Sequence, residues 1–443
     1  MNLIQKIYDA GVIGAGGAGF PTHIKYKCNV EYFIINGAEC EPLLETDKYL
    51  MRTKSIEMIK AIEEVGKELK SKKIIIGLKK EYEKEIDMLN KAIKDLKSSV
   101  EIYFLDNFYP AGDEQVLIYE ITKKVVPAGG IPLDIGVVVS NVGTMVNVYD
   151  ALEDKPVVDK YVTVVGEINS PSMLKVPVGT SVFECIEASS GATISDFCVV
   201  MGGPMMGKII TKDQIKTSFI TKTTGGLIVL PADHYIVKRK NTSIEHIMNQ
   251  ARTSCIQCSM CTDMCPRNLL GHKIRPHRIM RNINMIENND EVLKEALLCT
   301  ECGICELYAC PMGLSPRTVN AYVKGILKEN GIKIKKDKNE PIAKEIREYR
   351  KVPITRLTAR LNITRYINHG FTKHIEVNSR KVSILLNQHI GKPAYPKVKV
   401  GDKVSRGQII GEVQIGDVGS NIHSSINGKV CEISDKIVIQ SEK

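Results

Sequence analysis

At 443 residues the chain is long enough for about three domains, its 43% hydrophobic content can fill sizeable cores, and its net charge is +10. Aromatic residues amount to 5% and Trp is absent, so the stacking platforms that nucleic-acid binding adds to a basic surface are missing, and no nucleic-acid partner is expected. No apolar run reaches the roughly 18 residues of a membrane span and no secretory signal opens the chain, so a cytoplasmic protein is expected, whose 13 cysteines need a purpose other than disulfides.

The first element reads as a helix, because Leu3, Ile4, Ile7 and Tyr8 share one helical face. Next comes a glycine loop in which Gly14, Gly16 and Gly19 fit G-x-G-x-x-G. The dinucleotide fingerprint needs a strand before it and a helix opening after it. Here a helix precedes, and Phe20-Pro21 follow, which predicts an extended segment. No Gly-Lys-Ser/Thr makes it a phosphate-binding P-loop either. Two readings remain open: a plain turn, or a backbone able to wrap closely around a flat or phosphorylated ligand.

Strand and helix patterns then alternate. "YFIIN" runs into Asn36, Glu39 and Glu41, "SIEMIKAIEEVGKELK" reads as helix, "KKIIIGL" as strand, "EYEKEIDMLNKAIKDLK" as helix and "VEIYFLD" as strand. After "NFYPAGDEQVLIYEIT", the stretch "DIGVVVSNVGTMVNVYDAL" reads as strand, polar loop and helix. This is a doubly wound α/β pattern. Its strand ends bring Asn36, Glu39, Asp113, Glu114, Asn141 and Thr144 toward one edge, where such folds bind ligands. Each of these residues alone also fits a helix cap or a turn.

Residues 160–231 show short strands and Gly/Pro turns around the single helix "SVFECIEASSG", a small β-grasp pattern. "MGGPMMG" reads as a glycine turn with Met filling gaps rather than as a ligand box. Cys185 and Cys198 read as buried small hydrophobes, and Cys40, between Glu39 and Glu41, as a poor nucleophile because carboxylates raise a thiol pKa.

Eight cysteines fall into two blocks. "CIQCSMCTDMCPRN" places Cys255, Cys258, Cys261 and Cys265 as C-x2-C-x2-C-x3-C-P, the bacterial ferredoxin run. "CTECGICELYACPMG" places Cys299, Cys302, Cys305 and Cys310 likewise, with one extra residue before the last. Three thiolates two residues apart reach one cubane, and the fourth cysteine points to the other. One [4Fe–4S] cluster is therefore assigned to Cys255, Cys258, Cys261 and Cys310, and the second to Cys299, Cys302, Cys305 and Cys265. Zinc sites want two CxxC pairs rather than two runs ending in Cys-Pro. The intervening stretch 272–298 reads as a helix in which His272 and His277 pack or hydrogen-bond. Residues 324–355 are Lys-rich and linker-like. The tail has short strands with "GDKVSRGQ" turns and no lysine at a hairpin tip for a lipoyl or biotinyl group.

Together these stretches carry a resemblance. "GAGGAGFPTHIKYK", "NGAECEP", "YPAGDE" and "SNVGT" resemble the FMN- and NADH-binding motifs of the flavoprotein subunit of respiratory complex I, and more closely its RnfC-like branch. The resemblance implies that Gly14, Gly16, Gly17 and Gly19 cradle FMN together with Lys25. It implies that Asn36, Glu39, Gly112, Asp113, Glu114, Asn141 and Thr144 hold NADH and the ribityl chain, and that the nucleotide stacks on Phe20. Two positions depart: Ala15 stands where complex I has an arginine, and Gly143 replaces an acidic residue. Flavin binding tolerates these changes better than tight NADH binding does.

The implied fold class is multidomain α/β and α+β. It comprises a Rossmann-like flavin domain over 1–158, a β-grasp SLBB domain over 159–232 and a ferredoxin-like helical two-cluster domain over 240–328. A basic linker over 329–355 and an RnfC-type barrel-sandwich (lipoyl-like) domain over 356–443 complete it. The C-terminal place of the sandwich, with "CPRNLLGH" and "ACPMGLSP", is similar to the PduS-type cobalamin reductases of diol-metabolising microcompartments. That resemblance implies NADH as donor, FMN and two [4Fe–4S] clusters as cofactors and a corrinoid as acceptor. It also implies a place inside or at a microcompartment shell, with shell or adenosyltransferase proteins as partners. One alternative is a soluble RnfC-like carrier serving another reductase or ferredoxin. A second, of another class, is a microcompartment docking adaptor with incidental clusters, against which the complete set of eight cluster cysteines argues.

Overall fold

The structure, a computed structural model, describes residues 2–283, 291–336, 341–367, 373–414 and 416–442. Strands Tyr32–Asn36, Lys73–Lys79, Glu101–Leu105 and Val137–Asn141 form a parallel sheet in which the first strand lies between the second and the fourth. Side chains alternate across it. Phe33 and Ile35 enter the core shared with helices Ser55–Glu68 and Val142–Leu152, while Ile34 meets Val116 and Leu117 of helix Glu114–Thr122 on the other face. Covering on both faces explains the near-continuous apolar strands.

Two local details differ from expectation. A one-turn helix, Thr22–Lys25, follows Pro21 in place of an extended segment; proline at a helix entrance forfeits no intrahelical bond. Strand Val137–Asn141 passes into helix Val142–Leu152 without a polar loop, because the Asn141 side-chain oxygen accepts from Gly143 N at 2.7 Å and caps the helix at once.

In the β-grasp module, strands Asp159–Gly166, Ser172–Pro177, Phe197–Met201, Lys208–Thr211 and Gly226–Pro231 pack on helix Val182–Ala188. A further strand, Lys373–Glu376, adds in parallel to Ser172–Pro177, although sequence assigns it to the sandwich region. Its residues alternate no buried and exposed positions that would announce a strand.

The cysteine-bearing module gathers helices Ile244–Ser254, Pro276–Asn282 and Pro316–Glu329 around Ile247, Ile279 and Val319. The stretch 272–298, read as one helix, contains Pro276–Asn282, Glu291–Lys294 and a 3-10 turn Glu295–Leu298; its residues 284–290 lie outside the described residues. The expected linker is fastened to the fold. Arg347 is 4% exposed and pairs with Glu120 at 2.5 Å, and Val352–Pro353 bridges Phe108–Tyr109. A buried arginine carries no mark that separates it from a surface charge in sequence. Residues 337–340 of that stretch lie outside the described residues.

Strands Lys381–Leu385, Lys436–Gln440, Gly428–Ile433 and Lys403–Val404 form one sheet of the C-terminal sandwich, and Tyr395–Pro396, Ile409–Glu412 and Ile422–His423 the other, around Val382, Ile410 and Ile439. Residues 368–372, 415 and 443 of this region lie outside the described residues. The sandwich sits on the N-terminal module: Tyr8 donates to the Val413 carbonyl at 2.6 Å, and Ile390 N to the Gly19 carbonyl at 3.3 Å. Lys222 of the β-grasp module donates to the Gly11 carbonyl at 2.6 Å and the Asn421 carbonyl at 2.7 Å. Among the described residues, no helix is long and apolar enough to cross a membrane.

Candidate functional site

The glycine loop closes on itself through Gly14 N to the Phe20 carbonyl, 3.0 Å, and turns at Gly19 with φ +71°. Its backbone is pinned by Thr144, whose hydroxyl accepts from Ala15 N at 2.9 Å. A Cβ on Gly16 would lie 2.6 Å from the Asn141 side chain, so only glycine permits this approach. A Cβ on Gly17 would meet nothing within 4 Å; that peptide faces open space. The space is a cavity of about 600 Å³, within the ordinary range of ligand sites.

Gly14, Gly16, Gly17, Gly19, Phe20, Lys25, Asn36, Gly112, Glu114, Asn141 and Thr144 all line this cavity. Lys25 and Glu114 form an ion pair at 3.2 Å across it. Asn36 donates to the Gly112 carbonyl at 2.8 Å and accepts from Ala38 N at 3.1 Å, bracing two loops. A Cβ on Gly112 would stand 2.5 Å from the Ala38 carbonyl. Phe20, 37% exposed, offers a ring at the mouth.

Two rim candidates stand apart from this lining. Asp113 caps helix Glu114–Thr122, accepting from Gln115 N and Val116 N at 3.1 Å, and pairs with Arg267 at 3.1 Å. The Glu39 carboxyl is pushed well above the usual range by burial and then by Asp47 and Glu41. Glu41 accepts from Met205 N at 2.8 Å and Met206 N at 2.9 Å, so the "MGGPMMG" turn grips it while Met205 fills the core. Burial, more than the flanking carboxylates, drives the Cys40 thiol up to about 12.

The two departures from the complex I pattern are neighbours. A Cβ built on Gly143 would touch the Ala15 Cβ at 3.4 Å. Two small residues thus meet where the resemblance puts an arginine and an acid. Lys160 stands behind the loop, buried, with its ammonium 3.4 Å from the Ala15 carbonyl. Burial lowers its pKa to about 8, against the pull of Asp47 and Glu39. Asp47, itself raised to about 6 by burial, accepts from Asn141 at 2.7 Å. No spacing rule in the sequence announces Lys160 or Asp47.

The eight block cysteines separate into two voids. Cys255, Cys258, Cys261 and Cys310 line one, and Cys265, Cys299, Cys302 and Cys305 the other. This is the crossed pairing that spacing predicts. The extra residue before Cys310 is absorbed by a π-helical turn, Ile304–Ala309, where the first block uses an α turn, Met260–Asp263. Among the described residues, no three His, Cys, Asp or Glu side chains converge closely enough to hold one metal ion. Each quartet surrounds a void, the arrangement that a thiolate-held cubane requires. Arg267 lines the second void, and one of its buried η nitrogens has no partner. A thiolate-ligated anionic cluster suits that orphan donor. His272 bonds the Val126 carbonyl at 2.8 Å, and His277, which lines the first void, bonds the Thr262 hydroxyl at 2.6 Å, so each is held by a partner outside the cysteine sets.

The second void is the one joined to the α/β module. Besides Arg267–Asp113, the Tyr109 hydroxyl donates to the Cys302 carbonyl at 2.7 Å. The first void opens outward, where Cys258 is exposed beside Ile256 and Met312, 61% and 47% exposed.

Comparison with known proteins matches this division. Models of a Nuo51 FMN-binding domain, an SLBB domain, a 4Fe-4S dicluster domain and an RnfC barrel sandwich hybrid domain match residues 7–150, 161–208, 254–315 and 369–443. Cobalamin reductase PduS of Salmonella typhimurium (strain LT2) is 38% identical over 436 residues, 98% of this chain and 95% of that protein. The chain belongs to the PduS family. PduS of Citrobacter freundii is 37% identical over the same shares. A subunit of the proton-translocating ferredoxin:NAD(+) oxidoreductase complex of Clostridium ljungdahlii is 33% identical over 60% of this chain and 56% of that protein. An NAD+-reducing [NiFe]-hydrogenase in the H2-reduced state shares the fold, with TM-score 0.51 and 18% identity over 73% of this chain and 62% of that one. This PduS-family chain is a flavo-iron–sulfur oxidoreductase with FMN and [4Fe–4S] clusters as cofactors.

Proposed function

We propose that the chain takes electrons from NADH at the glycine-lined cavity and delivers them to a corrinoid. FMN held there would supply a centre able to take a hydride and give up electrons singly, and clusters held by the two cysteine sets would supply one-electron carriers. The residues position that chemistry. Gly16 and Gly17 let backbone amides approach the flavin, Gly14 and Gly19 hold the loop's shape, and Thr144 and Asn141 pin it at a helix start, where anionic groups are favoured. Lys25, steadied by Glu114, supplies the positive charge, and Asn36 and Gly112 close the far wall. Phe20 presents its face to the incoming nucleotide. Glu39 and Asp113 act from behind, one as a half-buried acid near Asp47, the other by tying the cavity wall to Arg267.

The observation that carries this reading is the continuity from cavity to cysteines. Gly112 and Glu114 line the cavity, Asp113 between them pairs with Arg267, and Arg267 lines the void of Cys265, Cys299, Cys302 and Cys305. Cys255, Cys258, Cys261 and Cys310 then hold the outer cluster toward solvent. The corrinoid assignment is supported by relatives described as cobalamin reductases that align over nearly the whole chain. The microcompartment setting, with shell or adenosyltransferase partners, belongs to the same proposal and rests on the motif resemblance.

The test is an anaerobic titration of the reconstituted protein with NADH, followed by absorbance, then addition of hydroxocobalamin. Bleaching of flavin and clusters, then corrinoid reduction, is the expected result. Bleaching without corrinoid reduction would move the acceptor to a ferredoxin-like protein. No bleaching with FMN bound would exclude NADH as donor and trace the loss to Ala15 and Gly143.

A further inference from the structure

A second cavity, about 650 Å³, lies behind the glycine loop where three modules meet. Helices Ser55–Glu68 and Val142–Leu152 form one wall, strands Asp159–Gly166 and Ser172–Pro177 another, and Arg406 of the sandwich closes the third. Gly143 lines it, and a Cβ there would stand 3.4 Å from the Ala15 Cβ. Nothing in the electron path described above uses it.

Its charges are unbalanced. Lys54, Lys155, Lys160, Lys175 and Arg406 line it against Glu57, Asp150 and Asp159. Two of the acids are already engaged, Glu57 with Lys54 at 3.0 Å and Asp159 with Arg406 at 2.6 Å and Lys175 at 3.8 Å, and Lys175 also pairs with Glu376 at 3.1 Å. Among the described residues, Lys155 makes no ion pair within 4.0 Å, though Asp150 is near enough to feel its charge. Tyr149 and Tyr161 give the same cavity an aromatic wall. With all groups ionised, five basic side chains against the three lining acids and Glu376 leave an excess of one positive charge. A phosphate monoester, with roughly one and a half to two negative charges near neutral pH, more than offsets that excess, and a base attached to it can lie against Tyr149 and against the side of Tyr161 turned away from Tyr49 and His374.

We propose that this cavity binds a nucleoside monophosphate-like ligand, its phosphate held by Lys155, Lys175 and Arg406 and its base laid against Tyr149 and Tyr161. The ligand is distinct from the flavin and from the electron donor. Lys160 connects the two cavities, because its ammonium reaches the carbonyl of Ala15 on the loop that lines the other.

The test uses the full chain loaded with FMN and clusters, and calorimetric titration with AMP, adenosine and inorganic phosphate, each with and without saturating NADH. AMP is expected to bind in the presence of NADH, and adenosine and phosphate each at least tenfold more weakly. Lys155→Ala and Lys175→Ala should each weaken AMP about tenfold, the scale of one charge-assisted hydrogen bond. Neither should change flavin content or its bleaching by NADH. Lys155 is exposed, so its variant tests the site without threatening the fold. Absence of AMP binding at millimolar concentration, displacement of AMP by NADH, or AMP affinity unchanged in both variants would each overturn the proposal. Equal binding of phosphate and AMP would overturn the assignment to a nucleotide.

Discussion

The two cysteine quartets share a spacing but live in different surroundings. The inner set, Cys265, Cys299, Cys302 and Cys305, is fastened to the α/β module by Arg267 and Tyr109 and backed by Met205, whose methyl lies 3.3 Å from a Cβ built on Gly303. The outer set ends in an exposed Cys258 among exposed apolar side chains. Ligand spacing therefore identifies the centre, while its neighbours give it a place in the sequence of transfer. One quartet is joined to the module that carries the glycine-lined cavity, and the other opens outward.

Removing one ligand from each should break this comparison most sharply. With Cys305→Ser, NADH should bleach the flavin while no reduced-cluster signal appears in electron paramagnetic resonance, where the oxidised [4Fe–4S] state is silent. With Cys258→Ser the inner signal should still appear. In both, corrinoid reduction should fall by more than the roughly 10–100-fold that loss of an outer-sphere partner costs. If Cys305→Ser left the outer cluster reducible by NADH, the order of the quartets would be reversed.

Next in size is Arg267→Met, which strands Asp113 in a pair whose side chains are 9% and 14% exposed. Breaking such a pair costs about 3 kcal/mol. Urea unfolding should show that loss, and the inner cluster should be the one released first. Tyr109→Phe deletes one hydrogen bond and should cost about 1 kcal/mol, with slower NADH-driven reduction of the inner cluster and no change in flavin affinity. The smallest effect belongs to the outer quartet. Gln257 donates to the Cys255 sulfur at 3.1 Å, and donors to ligand sulfur raise a cluster's potential. Gln257→Leu should lower the outer potential alone in a redox titration, leaving the inner one in place.

Much of this arrangement is legible in the sequence for definite reasons. Cluster ligands announce themselves because the cubane dictates their spacing, and the parallel strands because burial on both faces demands runs such as "YFIIN" and "GVVVS". Glycine positions point to the cradle, although the fingerprint's usual context is absent. What stays hidden depends on partners distant in the chain. Asp113 reads as a rim acid until Arg267, 154 positions on, is seen to hold it. Lys373–Glu376 reads as sandwich until it extends the β-grasp sheet. Arg347 reads as linker charge until Glu120 buries it. Ala15 and Gly143 read as separate departures until the fold sets them against each other.

Lys222 carries a consequence for how the molecule comes apart. It is 2% exposed, belongs to the β-grasp module, and donates to one carbonyl on each of the two modules beside it. Burial alone brings its pKa down to about 7, so it is close to surrendering its proton in order to stay there. A side chain shared three ways leaves none of the three with a free seam. On heating, the flavin, β-grasp and sandwich modules should therefore melt as a single cooperative unit, and the inner cysteine segment, whose Met264, Ile304 and Leu307 share a core with Val200 and Ile228, should melt with them.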